Sequence, residues 1–383
     1  MADGGQLRVL MVVGPATGGI GAHAASLSTD LRAQGVQVLV FTHSITAARF
    51  DFGVPVIAAW PGTSARQWLV ALRRLRCLAR GAQVVHAQGH QAAVLARLAT
   101  LGCARGLVVS WHNAILASGL RRRVLALGER WQTSGAHLVT GASSDLVERA
   151  RRLGAPRTEL APVASPTAKP WTGSAQEARQ QLVAELSLPA ALLDRPWLVT
   201  VSRIAPQKNL HILLAAARIL EQRHRSARPA GAGRSSAEPV WFIVGDGDGD
   251  LLAELTGQAG ASDVYFVGAR SDVPVWLAAA TGVVLPSAWE ARSLVVQEAM
   301  AAARPVVASD VGGLPDLLGR DGMLVPPGDP VALAEQVGAL LDDRTDRAGM
   351  GERVRRRFAT MPDRAQVASA WLDRYAAVRQ WSR

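Results

Sequence analysis

The chain has 383 residues, of which 49% are hydrophobic, and this is enough for two ordinary domains with separate cores. Its two cysteines, Cys77 and Cys103, exclude a disulfide framework and lack metal-ligand spacing, which is typical of a protein from the reduced cytosol. The longest early apolar run, Val9 to Gly14, is far shorter than the ~20 residues of a membrane-spanning helix, and it lacks the basic lead-in and cleavage site of a secretory signal.

The positive charge is confined to the first part of the chain. Up to Ser165 there are 18 basic and 7 acidic side chains, which accounts for the whole net charge of +11, and the remaining residues hold 24 of each. A basic half joined to a neutral half predicts an anionic partner for the first half alone. Nucleic acid and an anionic membrane surface are both candidates.

Strand-like and helix-like segments alternate almost from the start. In the first half the strands are predicted at LRVLMVVG, VQVLVFTH, AQVVHAQ and LVVSWHN. The alternation lapses in a stretch rich in Pro, Ala, Ser and Thr, 161–174, and resumes with PWLVTVSRI, VWFIVGDG, VYFVG, GVVLPS and PVVASD. It predicts parallel sheets with helices on both faces, hence an α/β protein of two doubly wound domains, 1–165 and 166–364. A basic low-complexity stretch, 223–239, is predicted to be a surface loop.

Two cations follow the predicted strand WLVTVS. Arg203 and Lys208 lie five residues apart around a proline, in one strand-to-helix loop. Because open α/β sheets bind ligands at the carboxyl ends of their strands, both side chains can reach the mouth of the second sheet. Two cations in a dry cleft suit a diphosphate, although a solvated surface pair fits the spacing equally well.

Two carboxylates follow the predicted strand GVVLPS. Glu290 lies in the loop after the strand, and Ser293 is a suitable N-cap for the helix LVVQEAMAAA, whose free amides form an anion site. Glu298 falls about one and a half turns into that helix. The first carboxylate can accept a hydroxyl of a sugar, and the second can accept both hydroxyls of a ribose. The alternative is two unconnected surface glutamates.

Three further features carry weaker signals. The glycines of GPATGGIG do not match the dinucleotide fingerprint, but they leave backbone that a ligand could approach closely. The alternate glycines of VGDGDGD, from Val244, are typical of a turn after a strand and not of a metal-binding Asp-x-Asp motif. His112 ends a predicted strand and is a candidate for the cleft, although a lone histidine there is more often structural.

The order of these motifs is more informative than any one of them. Over nearly its whole length the chain resembles the retaining GT-B glycosyltransferases of glycosyltransferase family 4. The matching pieces are GGIGAH, SWHN, SRIAPQKN, IVGDG, FVG, PSAWEARSLVVQEAM, PVVASDVGGLPDLL and GMLVPPGDPVALA. The resemblance implies two Rossmann-like domains that face a central cleft, with the last helix, about 365–383, packed on the first domain. It also implies transfer from a nucleoside diphosphate sugar with retention at the anomeric carbon.

The resemblance also implies roles for individual residues. In the first domain, Gly21 would let a helix N-terminus approach the donor phosphate, and His112 would lie beside the transferred sugar. The second domain would bind the donor through Arg203 and Lys208 at the diphosphate, Glu290 at a sugar hydroxyl, Glu298 at the ribose, the amides of Ser293 and Leu294 at a phosphate, and Arg270 near the base. The candidate catalytic residues are His112, Arg203, Lys208 and Glu290.

No protein nucleophile is needed in the mechanism that the resemblance implies. The leaving phosphate takes the acceptor's proton on the same face of the sugar, so the protein contributes positioning and charge stabilisation. No cofactor is expected, and catalysis is predicted to be independent of metal because no Asp-x-Asp cluster stands in the predicted cleft loops.

The sequence departs from the family pattern in three places. Ala291, Arg292 and Ser293 stand where Gly-Phe-Gly is common, so Arg292 brings a cation that would contact a charged sugar or phosphate, or point to solvent. APVASP replaces the usual Asn-Gly near the end of the first domain, which puts contacts from the hinge in doubt. Asp316 stands where a glutamate is frequent, which is a mild change.

Two arginine-rich stretches of the first domain bear on the acceptor. Trp68 to Gly81 and Leu120 to Gln132 combine arginines with apolar residues at helical spacing, which is typical of helices that lie on anionic lipid. Ordinary amphipathic helices with solvated arginines are the alternative. Nucleic acid is not expected as a partner, because no recognition motif accompanies the charge.

These observations favour a cytoplasmic transferase, peripheral on the inner face of the membrane, that glycosylates a lipid-linked or cell-envelope acceptor. One alternative is a soluble transferase that acts on a small molecule or a polysaccharide. Another is a catalytically silent protein that binds a nucleotide sugar and transfers nothing.

Overall fold

The computed structural model describes residues 6–116, 119–165, 169–227, 237–260 and 262–382. The chain divides into two compact units, one made of Met1–Pro166 with Pro362–Arg383 and the other of Thr167–Met361. No helix in the described ranges is both long and apolar enough to span a lipid bilayer. Most of the predicted low-complexity loop, 228–236, falls outside the described residues.

Seven parallel strands form the sheet of the first unit: β1 Arg8–Val13, β2 Gln37–Thr42, β3 Val56–Ala58, β4 Val84–Gln88, β5 Gly106–Trp111, β6 Leu138–Gly141 and β7 Thr158–Leu160. Their order across the sheet is β3-β2-β1-β4-β5-β6-β7. The helices are α1 Gly19–Ala33, α2 Ser44–Arg49, α3 Ala65–Gly81, α4 His90–Thr100, α5 Gly119–Ser134 and α6 Ser144–Arg152. Helix α4 lies between α3 and α5 and packs against both, so these three helices form one layer.

Six parallel strands form the sheet of the second unit: β8 Trp197–Val201, β9 Val240–Val244, β10 Val264–Gly268, β11 Gly282–Leu285, β12 Val306–Ser309 and β13 Met323–Val325. Their order is β10-β9-β8-β11-β12-β13. The helices are α7 Ala175–Glu185, α8 Leu210–Ala227, α9 Gly249–Ala259, α10 Val273–Ala279, α11 Leu294–Ala301, α12 Leu314–Leu318, α13 Pro330–Leu341 and α14 Arg347–Ala359.

Both sheets are buried by helices on two faces, which is why their strands are continuous apolar runs. Every residue of β4, β5 and β9 is buried. In the second unit one core cluster holds Trp197, Phe242 and Trp276, and a separate cluster holds Leu213 and Val284. These two sheets confirm the predicted fold class of two doubly wound, Rossmann-like units.

The last helix, α15 Arg364–Trp381, packs against α1 and β5 of the first unit. Asp363 and Gln366 close a capping box at its start. Arg364 donates two hydrogen bonds to the carboxylate of Asp30, at 3.0 and 2.7 Å, and Tyr375 is fully buried. Helix α15 therefore completes the core of a unit whose other elements precede it by more than 200 residues.

In each sheet the strand order reverses once, between β1 and β4 and between β8 and β11. The loops that leave the two strands at such a point run to opposite faces of the sheet, which opens a crevice at the carboxyl edge. The predicted site residues of both units belong to loops and helices at these two edges.

Candidate functional site

The loops after β8 and β11 meet at the reversal point of the second sheet. Lys208 Nζ forms an ion pair with Glu290 Oε1, and Ser287 Oγ donates to the same carboxylate oxygen at 2.9 Å. The side chains of the pair are 15% and 13% exposed. The Ala288 amide also donates to the carbonyl of Gln207 at 2.9 Å. A predicted phosphate-binding cation and a predicted sugar-binding carboxylate are therefore partners in one ion pair.

Arg203 differs from Lys208 because its side chain is exposed and forms no ion pair with another described residue. Its loop is held by the backbone of Ile204, whose amide donates to Asp246 O at 2.8 Å and whose carbonyl accepts from Asp248 N at 2.9 Å. A Cβ on Gly247 would lie 2.3 Å from that carbonyl. The alternate glycines after β9 thus let two loop backbones pair closely beside Arg203.

A third loop, which follows β12, contacts the backbone of Glu290. The Gly313 amide donates to Glu290 O at 2.9 Å, and Gly312 has a φ of +55°. A Cβ on Gly312 would lie 1.9 Å from the same carbonyl oxygen. No role was predicted for Gly312 and Gly313 individually, although two consecutive glycines one residue after the predicted strand PVVASD were a usable signal.

Helix α11 begins immediately after the Glu290 loop. Ser293 Oγ accepts from the Val296 amide at 3.4 Å, which confirms the predicted N-cap. The amides of the first turn, beginning at Leu294, therefore belong to a helix N-terminus at the carboxyl edge of the sheet. Glu298, the fifth residue of α11, is half-buried.

Arg292 is not a freely solvated side chain. Its Nε is buried and has no hydrogen-bond partner among the described residues. Burial lowers the pKa of the Arg292 guanidinium, Asp316 of α12 opposes this shift, and Arg357 of α14 adds to it. The cation between the two predicted carboxylates is thus electrostatically coupled to α12 and α14.

Arg270 lies on the outer side of the second sheet, after β10, which is separated from β8 by β9. Its guanidinium donates to both oxygens of Asp272, at 2.8 and 2.7 Å, and to Glu185 Oε2 at 2.6 Å. These two carboxylates raise the pKa of Arg270. The contacts fix the loop after β10 to the end of α7, and the donor-binding role of Arg270 stays a prediction.

His112 belongs to a cluster of buried polar side chains that the sequence motifs did not predict. Its Nε2 donates to Gln88 Oε1 at 2.5 Å, and Gln88 Nε2 faces the His86 ring, 3.2 Å from Nε2 and 3.4 Å from Nδ1. His86 Nδ1 then bonds to Tyr375 Oη at 2.7 Å, and Ser110 Oγ lies 2.7 Å from His86 Nε2. The polar residues inside the apolar strand VVHAQ were the available signal for this cluster.

The histidines of this edge are neutral near pH 7. Burial, together with the nearby His23 and His90, lowers the pKa of His112 to about 3. Burial also lowers the pKa of His23 to about 4, and the rings of His23 and His112 are 5.3 Å apart. His112 is thus placed to bond a ligand as a neutral imidazole and not as a cation.

The structure gives a reason for glycine at position 21 that differs from the role predicted for it. A Cβ at this position would lie 2.2 Å from Phe50 Cε2, so the glycine makes room for the Phe50 ring. Helix α1 begins nearby, after Gly18, without a side-chain cap and without an acidic residue in its first turn. The approach of this helix to a donor phosphate stays a prediction.

The two arginine-rich stretches are α3 and α5, as predicted. On α3, Trp68, Leu69 and Val70 are exposed beside Arg73 and Arg74. On α5, the exposed apolar residues are Val124, Leu127 and Trp131, and the exposed arginines are Arg121, Arg122, Arg123 and Arg130. Because both helices flank α4, one layer of the first unit carries both sets. Membrane binding by this surface stays a prediction.

Two family models match the chain. The model described as "Glycosyl transferase 4-like domain" matches residues 18–165, and the one described as "Glycosyl transferases group 1" matches residues 195–343. Alpha-D-kanosaminyltransferase of Streptomyces kanamyceticus is 33% identical over 247 residues, which are 63% of this chain and 58% of that enzyme. D-inositol 3-phosphate glycosyltransferase of Streptomyces avermitilis is 32% identical over 286 residues, which are 70% of this chain and 58% of that enzyme. The chain thus spans less than two thirds of the length of these relatives.

The fold is similar to that of Anabaena HepE, whose crystal structure was determined in complex with UDP and glucose. The TM-score is 0.79 at 20% identity, and the likeness covers 97% of this chain and 100% of HepE. The family models identify the family of the chain, and the two parallel sheets and the similarity to HepE identify its fold. The protein belongs to the group 1 glycosyltransferases, and its two Rossmann-like units have the GT-B fold.

Proposed function

We propose that the protein is a retaining glycosyltransferase that moves a sugar from a nucleoside diphosphate sugar to an acceptor. The observation that carries the proposal is the Lys208–Glu290 ion pair at the reversal point of the second sheet, beside the exposed Arg203 and the N-terminus of α11. Open α/β sheets bind ligands at this edge. Cations and helix amides together match a diphosphate.

In this proposal the donor reorganises the ion pair. The diphosphate takes Arg203 and Lys208 as its counter-charges, and the amides of the first turn of α11 meet a phosphate oxygen. Glu290 then accepts a hydroxyl of the transferred sugar, and Glu298 accepts the hydroxyls of the ribose. The protein's own fixed cations supply the charge stabilisation, so we propose that no metal cofactor is required.

The chemistry follows from this arrangement. The bond between the anomeric carbon and the leaving phosphate breaks while the acceptor oxygen attacks the same face, and the acceptor's proton passes to the leaving phosphate oxygen. No side chain acts as a nucleophile, so positioning and charge stabilisation carry the rate enhancement. His112 is assigned to the transferred sugar by the resemblance alone, and Gly21 to the approach of α1 to a phosphate in the same way.

We place the acceptor at an anionic membrane surface, as a lipid-linked or cell-envelope glycan precursor. The support is the layer of α3 and α5, which exposes Trp68 and Leu127 (40% and 68% exposed) among arginines. Each arginine near an anionic surface contributes about 1 kcal/mol of binding, and the apolar side chains add to it by burial in the interface.

The second candidate acceptor is a small polar molecule, because the relatives are named for kanosaminyl transfer and for D-inositol 3-phosphate. Sedimentation with phosphatidylglycerol vesicles separates the two candidates. Membrane binding should be present at low salt, weaken at high salt, and fall in Arg123→Ala but not in Arg320→Ala, a control on the second unit. If no protein sediments at low salt, the small-molecule acceptor becomes the leading one.

The donor is tested first by calorimetric binding of UDP-, GDP-, ADP- and dTDP-sugars. Loss of a charge-assisted contact in Lys208→Ala should weaken the true donor by about 1.5–3 kcal/mol, whereas Lys169→Ala should bind as the wild type does. NMR of the product then reports the anomeric configuration, which should be that of the donor. If nothing binds, or if Lys208→Ala binds equally well, the diphosphate site is wrong. If a nucleotide sugar binds but no sugar is transferred or released, the silent-protein alternative takes the place of the proposal.

A further inference from the structure

A separate pocket lies at the amino-terminal edge of the first sheet. Its volume is about 630 Å³. The first residues of β1 and β2, the segment before β3 and the last turns of α3 form its walls, with Leu10, Leu39, Val54, Pro55, Leu78 and Ala82 among the lining residues. Strands rise about 3.3 Å per residue, so a six-residue strand separates this pocket from the edge of Gln88 and His112 by roughly 20 Å.

The pocket exists because one strand lacks a helix over part of one face. Strand β2 is an interior strand, and interior strands of parallel sheets are normally covered on both faces. The segment between β2 and β3 contains only the six-residue α2, and α3 packs against β1 and α4 instead. Leu39 is consequently half-exposed, whereas its neighbours Val38 and Val40 are buried.

The charged groups of the pocket have one sign. Arg8 and Arg32 line it, and its lining includes no aspartate or glutamate. Arg8 Nε donates to Gly81 O at 2.8 Å, and Arg32 Nη1 donates to Gly53 O. A guanidinium has five N–H donors, so each arginine keeps donors for a ligand. A concave apolar site of 300–1,000 Å³ with a few polar groups is typical of small-molecule binding.

We propose that this pocket binds an anionic amphiphile. The hydrocarbon chain lies along Leu39 and Leu78, and a carboxylate or phosphate head group meets Arg8 and Arg32. The size and the apolar walls of the pocket suit a hydrocarbon chain, and its unopposed positive charge favours an anionic head group over a neutral one. The pocket is separate from the proposed donor site, with which it shares no residue. A free fatty acid and a membrane phospholipid both have this chemistry.

Cys77 provides a built-in reporter, because it is a lining residue of the pocket and is exposed. Cys103 is half-exposed and is not among the lining residues, so it is the internal control. The rate of iodoacetamide labelling at each cysteine is measured by mass spectrometry, with sodium laurate below its micelle concentration as the ligand. At ten times the dissociation constant, laurate should slow the labelling of Cys77 by about ten-fold and leave Cys103 unchanged.

Three comparisons decide the result. Dodecyl maltoside, which has the same chain and a neutral head, should protect Cys77 less than laurate does. Arg8→Gln and Arg32→Gln replace exposed side chains, so both variants should fold. Each should weaken the affinity for laurate several-fold. In a separate experiment, phosphatidylglycerol vesicles replace laurate. Protection of Cys77 by the vesicles but not by laurate assigns the site to membrane lipid. The proposal is overturned if neither laurate nor vesicles protect Cys77, if Cys103 is slowed equally, or if the neutral head protects as well as the anionic one.

Discussion

Gln88 Oε1 accepts a hydrogen bond from His112 Nε2 at 2.5 Å, between the ends of the neighbouring strands β4 and β5. A carbonyl oxygen can only accept, so the proton of the neutral imidazole is on Nε2. Nδ1 of His112 then carries a lone pair and bonds no described residue. The geometry of Gln88 thereby decides that His112 offers a ligand an acceptor and not a donor.

The tautomer of His112 can be observed directly. Long-range ¹H–¹⁵N NMR spectra should show the Nε2–H form in the wild-type protein at pH 7. Gln88→Met removes the acceptor and should give a mixture of tautomers, with kcat lowered about ten-fold for one lost hydrogen bond of about 1.4 kcal/mol. Gln222→Met, at an exposed glutamine of α8, is the matched control. An Nδ1–H tautomer in the wild type would contradict the assignment.

The loop that carries Glu290 should be intolerant of a methyl group at Gly312. Gly312→Ala combines a positive φ with a Cβ 1.9 Å from Glu290 O, so it must displace that loop. We expect a loss of donor affinity and a stability loss of about 1–3 kcal/mol. Gly328→Ala has a φ of +76° but open space around its Cβ, so it should cost about 1 kcal/mol and leave donor binding intact. Equal donor affinities in the two variants would show that the contact is unimportant.

Tyr375 should stabilise the first unit through His86. His86 Nδ1 and Tyr375 Oη share a hydrogen bond of 2.7 Å in a fully buried site. Tyr375→Phe leaves His86 Nδ1 without this partner and should lower the free energy of unfolding by about 1–3 kcal/mol. The control is Tyr265→Phe, on β10, which should change it by less than about 0.5 kcal/mol. Urea unfolding of both variants gives the comparison, and equal effects would rule out the His86 contact as the cause.

Stability should fall in mild acid because of His23. Its pKa is lowered from 6.5 to about 4 by burial, so the folded state holds it neutral while the unfolded state binds a proton below pH 6.5. The stability is therefore fully present above pH 6.5 and is lost as the pH falls towards 4. Between pH 7 and pH 5 this one group should remove about 2 kcal/mol, and His23→Phe should reduce the dependence by that amount. Urea unfolding at the two pH values measures it, and an unchanged dependence in the variant would refute the assignment.

Some of the fold and site could be predicted from local sequence. Apolar runs such as VLMVV and VWFIV identified buried parallel strands, because each strand needs two apolar faces. Ser293 was predicted as an N-cap, because capping depends on the residue type at one position and on the amides two or three residues later. The family was predicted from the order of several short motifs, because no single motif was specific enough.

The rest was decided by contacts between distant parts of the chain. Lys208 and Glu290 are 82 residues apart, and His86 and Tyr375 are 289 apart. The contacts of Arg270 with Asp272 and Glu185 could not be predicted from the sequence either, and its role at the donor stays a prediction. The apolar pattern of a strand depends on residues that are close together in the sequence, so the strands could be predicted from the sequence. Which side chains pair at the strand ends depends on strand order, loop path and the direction of each donor and acceptor, and these exist only once both sheets have formed.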